Sequence, residues 1–162
     1  MHFKGIKIRN ELKPGDLGMI IHLHGDMYFK ENAYTLIFEA YVAKSIFEFY
    51  QQFDPALDRV WVCEDQGKMI GFLSLVHRPE NAAQLRFFFL LQDYRGMGLG
   101  SFLMEQFMAA YHELGYTSAY LWTTEEQLTA TALYKKHGFQ LTEEKPSDAF
   151  GKSLVEQRYV LD

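Results

Sequence analysis

Leu85-Arg86-Phe87-Phe88-Phe89-Leu90-Leu91-Gln92-Asp93-Tyr94-Arg95-Gly96-Met97-Gly98-Leu99-Gly100-Ser101 holds an apolar run that passes through a polar bend into a glycine-rich loop. Leu85 to Leu91 is nearly continuous in apolar residues, which predicts a strand buried on both faces and central in its sheet. After the loop, Leu99, Phe102, Leu103, Gln106, Phe107 and Ala110 share one helical stripe, and Leu114-Gly115 supplies a C-cap. Ser118 to Thr123 reads as the next strand. Strand, helix, strand in that order makes a βαβ unit, which requires a parallel pair and a right-handed crossover.

The loop carries the chemistry. A strand that enters Arg95 to Ser101 and continues directly into a helix aims unpaired backbone N–H groups at an anion. A side chain at Gly98 or Gly100 would hold a pyrophosphate away from the backbone, and Arg95 adds positive charge beside it. Two other phosphate loops fail on spacing. A Walker loop needs Lys after its last glycine, where this chain has Ser101-Phe102. The dinucleotide pattern G-x-G-x-x-G meets Ser101 when started at Gly96 and Leu103 when started at Gly98. A turn that uses its glycines only for packing is the remaining alternative.

Working outward, Ile6 to Arg9 alternates as an edge strand, and Asp16 after Lys13-Pro14-Gly15 can cap a helix bearing Leu17, Ile20, Ile21 and His24. Between Tyr34 and Phe53, Ile37, Tyr41, Ile46, Phe49, Tyr50 and Phe53 recur near helical spacing, and Pro55 ends the pattern. Arg59 to Glu64 and Met69 to Val76 flank Asp65-Gln66-Gly67-Lys68, a hairpin signal. A last helix over about Glu126 to His137 stops at Gly138. Strands near Phe139 to Thr142 and Ser153 to Leu161 follow. The final strand, read as an unpaired edge, is a candidate surface for a homodimer.

The 162 residues are 48% hydrophobic and 23% charged, which suits one compact domain over residues 1–162. A net charge of -5, with no long Lys/Arg run, argues against nucleic acid as the partner. Cys63 is the one cysteine, so neither an intrachain disulfide nor a cysteine zinc cage can form. The six histidines show no His-Glu-x-x-His spacing, and no metal is expected. No apolar run approaches the roughly 20 residues of a membrane span, and the first residues lack a signal peptide's apolar core. A cytoplasmic protein without a membrane partner is expected.

Arg95, Gly98 and Gly100 resemble the Gln/Arg-x-x-Gly-x-Gly/Ala signature of the GNAT family of N-acetyltransferases, and Ala130-Thr131-Ala132-Leu133-Tyr134-Lys135-Lys136-His137-Gly138-Phe139 is similar to that family's A-x-x-L-Y-x-x-x-G-F helix end. Pro14–Tyr28, Phe53–Val62 and Ala149–Gln157 further resemble the acetyltransferase half of regulators that join a MarR-type winged helix to such a domain; the DNA-binding half has no counterpart in this sequence. The resemblance implies an α/β (α+β) GNAT fold: a mixed, mostly antiparallel central sheet, splayed between parallel strands four and five and flanked by about four helices. It implies acetyl-CoA as the acyl donor. Gly96, Met97, Leu99 and Ser101 join the signature residues around the phosphates. Leu90 and Leu91 offer backbone to the pantetheine arm, while Leu133, Lys136 and Gln127 lie near the coenzyme. Gln127 departs from the asparagine that many members carry.

An amine attacks a thioester only when unprotonated, and the departing thiolate needs a proton. Tyr134 matches the family's general acid, and a phenol of pKa about 10 suits that donor. His24, Glu39 and Glu125 are the candidate bases; a satisfied helix histidine and a solvated helix start are the plainer readings of His24 and Glu125. Cys63, within the run Trp61-Val62-Cys63, reads as a buried inert thiol, so direct transfer in a ternary complex is expected. Tyr28, Phe29, Tyr34, Phe38, Tyr41 and Phe47 sit on the helices that would cover the acceptor, a small-molecule amine or, less favoured, a protein amine. The alternative is a non-catalytic acyl-CoA-binding sensor or interaction module.

Overall fold

The computed structural model describes residues 1–162, which divide into two compact units: residues 1–16 with 54–119, and residues 17–53 with 120–162.

In the first unit, β1 (His2–Phe3) and β2 (Ile6–Arg9) form a tight hairpin whose turn residues Lys4 and Gly5 have φ of 46° and 85°. Two left-handed residues give the twist that a two-residue hairpin turn needs. β3 (Arg59–Asp65) and β4 (Lys68–Arg78) repeat the device through Gln66 and Gly67. β5 (Ala82–Leu90) then returns antiparallel to β4. The strand order is β1-β2-β3-β4-β5, followed by β6 (Ser118–Thr124), whose first two residues belong to this unit. Thr117 N–H donates to the Asn81 carbonyl at 3.1 Å, so β5 and β6 set out side by side in one direction. This is the parallel pair expected from the βαβ reading. It joins the fifth and sixth strands, not the fourth and fifth, because the two-residue β1 precedes the strand read as first.

α3 (Leu99–Glu113) packs on β4 and buries Leu99, Leu103, Met104, Phe107, Ala110 and Tyr111; Gly115 follows with a φ of 74°. Val60, Val62, Phe72, Leu73 and Leu75 are among the sheet residues that join this core. Arg9 locks the entry to it: Nε donates to Glu64 at 2.6 Å, and the two terminal nitrogens donate to Asp16 at 2.7 and 3.0 Å.

β5 departs from the expectation of burial on both faces. Arg86, Phe87 and Phe88 are only half-buried, and the register against β4 jumps so that Leu73 alone faces Phe87 and Phe88. Phe87 takes a φ of 58°, which for an aromatic residue marks a β-bulge. Ser74, fully buried, donates from Oγ to the Arg86 carbonyl at 2.8 Å and ties the bulge down.

The second unit holds α1 (Asp16–Asn32, less its first residue), α2 (Leu36–Gln52), α4 (Leu128–Lys136) and strands in the order β6-β8-β7, with β7 spanning Gln140–Ser147 and β8 spanning Leu154–Leu161. The last strand is therefore interior, antiparallel to β7, and the reason for placing a dimer contact on it fails. β7 is the edge, and its exposed Glu143, Glu144, Lys145 and Pro146 are residues that discourage edge pairing.

α2 also differs from its reading. The inward residues are Phe38, Val42, Ser45, Ile46 and Phe49, whereas Ile37, Tyr41 and Tyr50 face out. Tyr28, Tyr34, Phe38 and Phe150 make an aromatic cluster with ring centroids 4.9 to 5.5 Å apart. Of the aromatics expected over the acceptor, Phe29, Tyr41 and Phe47 lie in the open.

Candidate active site

In the first unit, β5 ends in a single 3-10 turn over Gln92–Tyr94, held by Tyr94 Oη donating to Asp65 at 2.7 Å. Gly96 and Gly98 then take φ of 75° and 90°. Both are left-handed values that glycine reaches without Cβ strain. Gly98 is the N-cap of α3 and no side chain caps the helix, so the N–H groups of Leu99, Gly100 and Ser101 stand at its positive end without intrahelical partners.

Arg95 is exposed, and its Nε donates to the Leu90 carbonyl at 2.8 Å, so the cation is folded back along the end of β5. Leu90 and Leu91 are half-buried; Leu91 N–H donates to Ile70 and its carbonyl accepts from Tyr94. These backbone groups are thus engaged within the unit. The Leu90 side chain lies over Gly71, where a Cβ would meet it.

The β1–β2 hairpin reaches this loop, a feature without a local signal in the sequence. Lys4 Nζ donates to the Met97 carbonyl at 2.8 Å, and the Phe3 ring stacks on Phe102 at 4.9 Å. Phe3 also approaches within 3.5 Å of the position a Cβ on Gly98 would take. A second cation accordingly sits against the loop beside Arg95.

In the second unit, α4 carries Tyr134, only 5% exposed, with Phe139 and Tyr159 ring centroids 6.2 and 6.5 Å away. Burial, with the nearby Tyr28 adding to it, pushes the Tyr134 phenol far above its ordinary range. Leu133 is half-buried and Lys136 exposed on the same helix. Gln127 is the N-cap of α4, and its Nε2 donates to Asn32 Oδ1 at 3.2 Å.

The three candidate bases fare differently. His24 is buried; Nδ1 donates to the Ile20 carbonyl at 2.8 Å, and the ring stacks on Tyr28. Glu39 is half-buried and lies over Gly25 of α1, where any Cβ would overlap its carboxylate. Glu125 is exposed and bridges backbone: its Oε2 accepts from Val155 N–H at 2.7 Å.

Its neighbour Glu126, which residue order alone does not distinguish, is the carboxylate turned inward. Oε2 accepts from Lys152 at 2.7 Å, and Oε1 is buried without a hydrogen-bond partner. Lys152 also donates to the Asn32 carbonyl at 2.9 Å, and Tyr34 shares a hydrogen bond of 2.8 Å with Thr124. Burial, with Glu126 adding to it, raises the Tyr34 phenol above its usual value.

Cys63, in the first unit, is fully buried and its thiol is pushed up to about 12, so at neutral pH it is neither nucleophile nor metal ligand. No group of three or more His, Cys, Asp or Glu side chains could hold a metal ion. No helix is long and apolar enough to cross a membrane.

Known proteins resemble this chain in sequence and in fold. Among curated relatives, the uncharacterized N-acetyltransferase YjgM of Escherichia coli (strain K12) is 30% identical over 96 residues, covering 57% of this chain and 58% of that one. N-acetyltransferase family 8 member 2 of Rattus norvegicus is 31% identical over 87 residues, covering 51% of this chain and 38% of that one. The matches thus span well under two thirds of these relatives' own lengths. The fold is that of an acetyltransferase from Streptococcus agalactiae 2603, with a TM-score of 0.73 at 23% identity over 98% of this chain and 99% of that one. It is also that of spermidine N-acetyltransferase from Vibrio cholerae, solved with CoA and spermine, with a TM-score of 0.70 at 19% identity over 98% and 96% of the two chains. The sequence profile of the Acetyltransferase (GNAT) family matches residues 21–139, the stretch that contains both the glycine loop and Tyr134, and this chain belongs to that family.

Proposed function

We propose that residues 1–162 act as one acetyltransferase domain that moves the acetyl group of acetyl-CoA onto a primary amine by direct attack in a ternary complex. The observation that carries this reading is the loop: two left-handed glycines, Gly96 and Gly98, lead into the uncapped start of α3. Anions bind such N–H groups, and the lack of side chains at Gly96 and Gly98 supports a coenzyme pyrophosphate there. Met97, Leu99, Gly100 and Ser101 line it, and Arg95 supplies charge. Leu90 and Leu91 accompany the pantetheine arm, with Gln127, Leu133 and Lys136 as further coenzyme contacts.

The amine nitrogen bonds to the thioester carbonyl carbon, the C–S bond breaks, and the thiolate takes a proton from Tyr134. His24, Glu39 or Glu125 receives the proton that the amine gives up, and solvent restores the phenol. A small amine is the favoured acceptor, with a polyamine a fitting first trial given the spermidine enzyme of like fold. A protein amine is the other class. The likeness of Pro14–Tyr28 to the acetyltransferase half of MarR-type fused regulators belongs to the same reading and leaves the acceptor class open. A cytoplasmic setting suits acetyl-CoA as cosubstrate.

The second reading, a non-catalytic acyl-CoA sensor, draws on Glu125, whose carboxylate is already committed to Val155 N–H. Thiol release from acetyl-CoA against amino acids, polyamines, aminoglycosides and lysine peptides separates the two. Release with one class, slowed by Tyr134→Phe, is expected; coenzyme binding with no release on any amine would instead make the chain a sensor.

A further inference from the structure

α2 is apolar on two faces. Phe38, Val42, Ile46 and Phe49 turn inward, yet Leu36, Phe47 and Tyr50 are 77%, 63% and 58% exposed, with Ala40 exposed and Ala43 half-exposed between them. The five outer positions, 36, 40, 43, 47 and 50, alternate steps of four and three, the 3.5-residue repeat of a helix-pair seam. A contiguous apolar stripe left exposed on a helix ordinarily marks a contact surface.

We propose that this outer face is the contact for a second copy of the chain, with the two α2 helices packed antiparallel about a twofold axis at Ala43. The occupant follows from the sizes along the seam. Antiparallel packing about Ala43 sets Leu36 level with the partner's Tyr50 and brings Ala40 within one residue's rise of the partner's Phe47, while Ala43 meets its own counterpart. Bulky residues face small ones near the axis, so the backbones can approach closely. In a parallel pair, Phe47 would meet Phe47 and Ala40 would meet Ala40, which leaves bulk against bulk beside a gap.

The strength can be bounded. Leu36, Ile37, Phe47 and Tyr50 leave on the order of 400 Å² of apolar surface per copy. A standard interface buries about 800 Å² per partner, so the seam is its core and the association is weak, in the micromolar range. Lys44 flanks the axis and stands beside its counterpart, so salt that screens the repulsion should tighten the pair. The inference does not depend on the catalytic reading.

Sedimentation velocity on the full chain from low to high micromolar concentration tests it, with Phe47→Glu as the disrupting variant; Phe47 is exposed, and circular dichroism checks that the fold survives. Ala43→Cys and Glu48→Cys provide an independent comparison, since Cys63 is buried and inert. An antiparallel seam brings the Ala43 Cα atoms within disulfide reach and leaves Glu48 on the flank. Expected are a concentration-dependent dimer abolished by Phe47→Glu and disulfide formation about tenfold faster at position 43 than at 48. A monomer at every concentration, a dimer that survives Phe47→Glu, or equal cross-linking rates would overturn the proposal.

Discussion

Gly98→Ala separates what the loop does for the fold from what it does for the coenzyme. Gly98 has a φ of 90°, and a Cβ there would stand 3.5 Å from Phe3, ordinary contact distance. The folding cost is therefore backbone strain alone, about 1–2 kcal/mol for a side chain held in the left-handed region. In a chain of this size that lowers Tm by roughly 2–8 °C. Gly115→Ala is the matched control, with a φ of 74° and nothing within 4 Å, but it lies after α3 instead of before it. Both variants should lose similar stability by differential scanning calorimetry. On the proposed reading, only Gly98→Ala places a methyl group where the phosphates would approach, so calorimetric titration with acetyl-CoA should show affinity reduced at least about tenfold, or about 1.4 kcal/mol, in that variant alone. Unchanged affinity in Gly98→Ala, or an equal loss in Gly115→Ala, would refute the assignment of the loop.

Three further outcomes follow from the same geometry. Tyr134→Phe should lower kcat by about 10²-fold or more with the acetyl-CoA dissociation constant nearly unchanged, as loss of a proton donor requires; equal loss in both would make Tyr134 a packing residue, and stopped-flow release with titration distinguishes the cases. Lys4→Ala should raise KM for acetyl-CoA a few-fold and flatten its salt dependence, because the Lys4 ammonium sits on the Met97 carbonyl; steady-state kinetics at two ionic strengths checks this. Stability should fall as pH drops below about 4.5: Asp16 keeps a lowered pKa despite the opposing effect of burial, through its hydrogen bonds from Arg9 and Lys13 N–H, and Glu64 is lowered chiefly by its hydrogen bond from Arg9. Both carboxylates are depressed in the fold, so their contribution is full above their unfolded values of about 4 and is lost on acidification. Urea melts across that window should show the slope, and Arg9→Met should remove it.

The loop and the Tyr134 helix were legible because their signals are local. Gly96, Gly98 and Gly138 mark places where the chain turns left-handed, and Ala130 to Phe139 carries a helix and its stop in ten residues. The inward face of α2 was not legible, since Leu36, Ile37, Phe38, Tyr41 and Val42 offer an apolar residue in nearly every direction and periodicity cannot choose among them. The Phe87 bulge is a property of two strands in register, and the phenylalanine run gives no sign of it. Lys4 meets the loop across 93 residues of sequence, beyond any local pattern. Which of Glu125 and Glu126 turns inward depends on the backbone direction at the end of β6, and the alternation of a strand that stops there does not decide it.

The titration of acetyl-CoA into the purified chain tests the central claim most directly. Saturable binding with one coenzyme per chain, weakened by Gly98→Ala and retained in Tyr134→Phe, is the result predicted. Absence of heat or displacement at millimolar acetyl-CoA from a folded protein would contradict it.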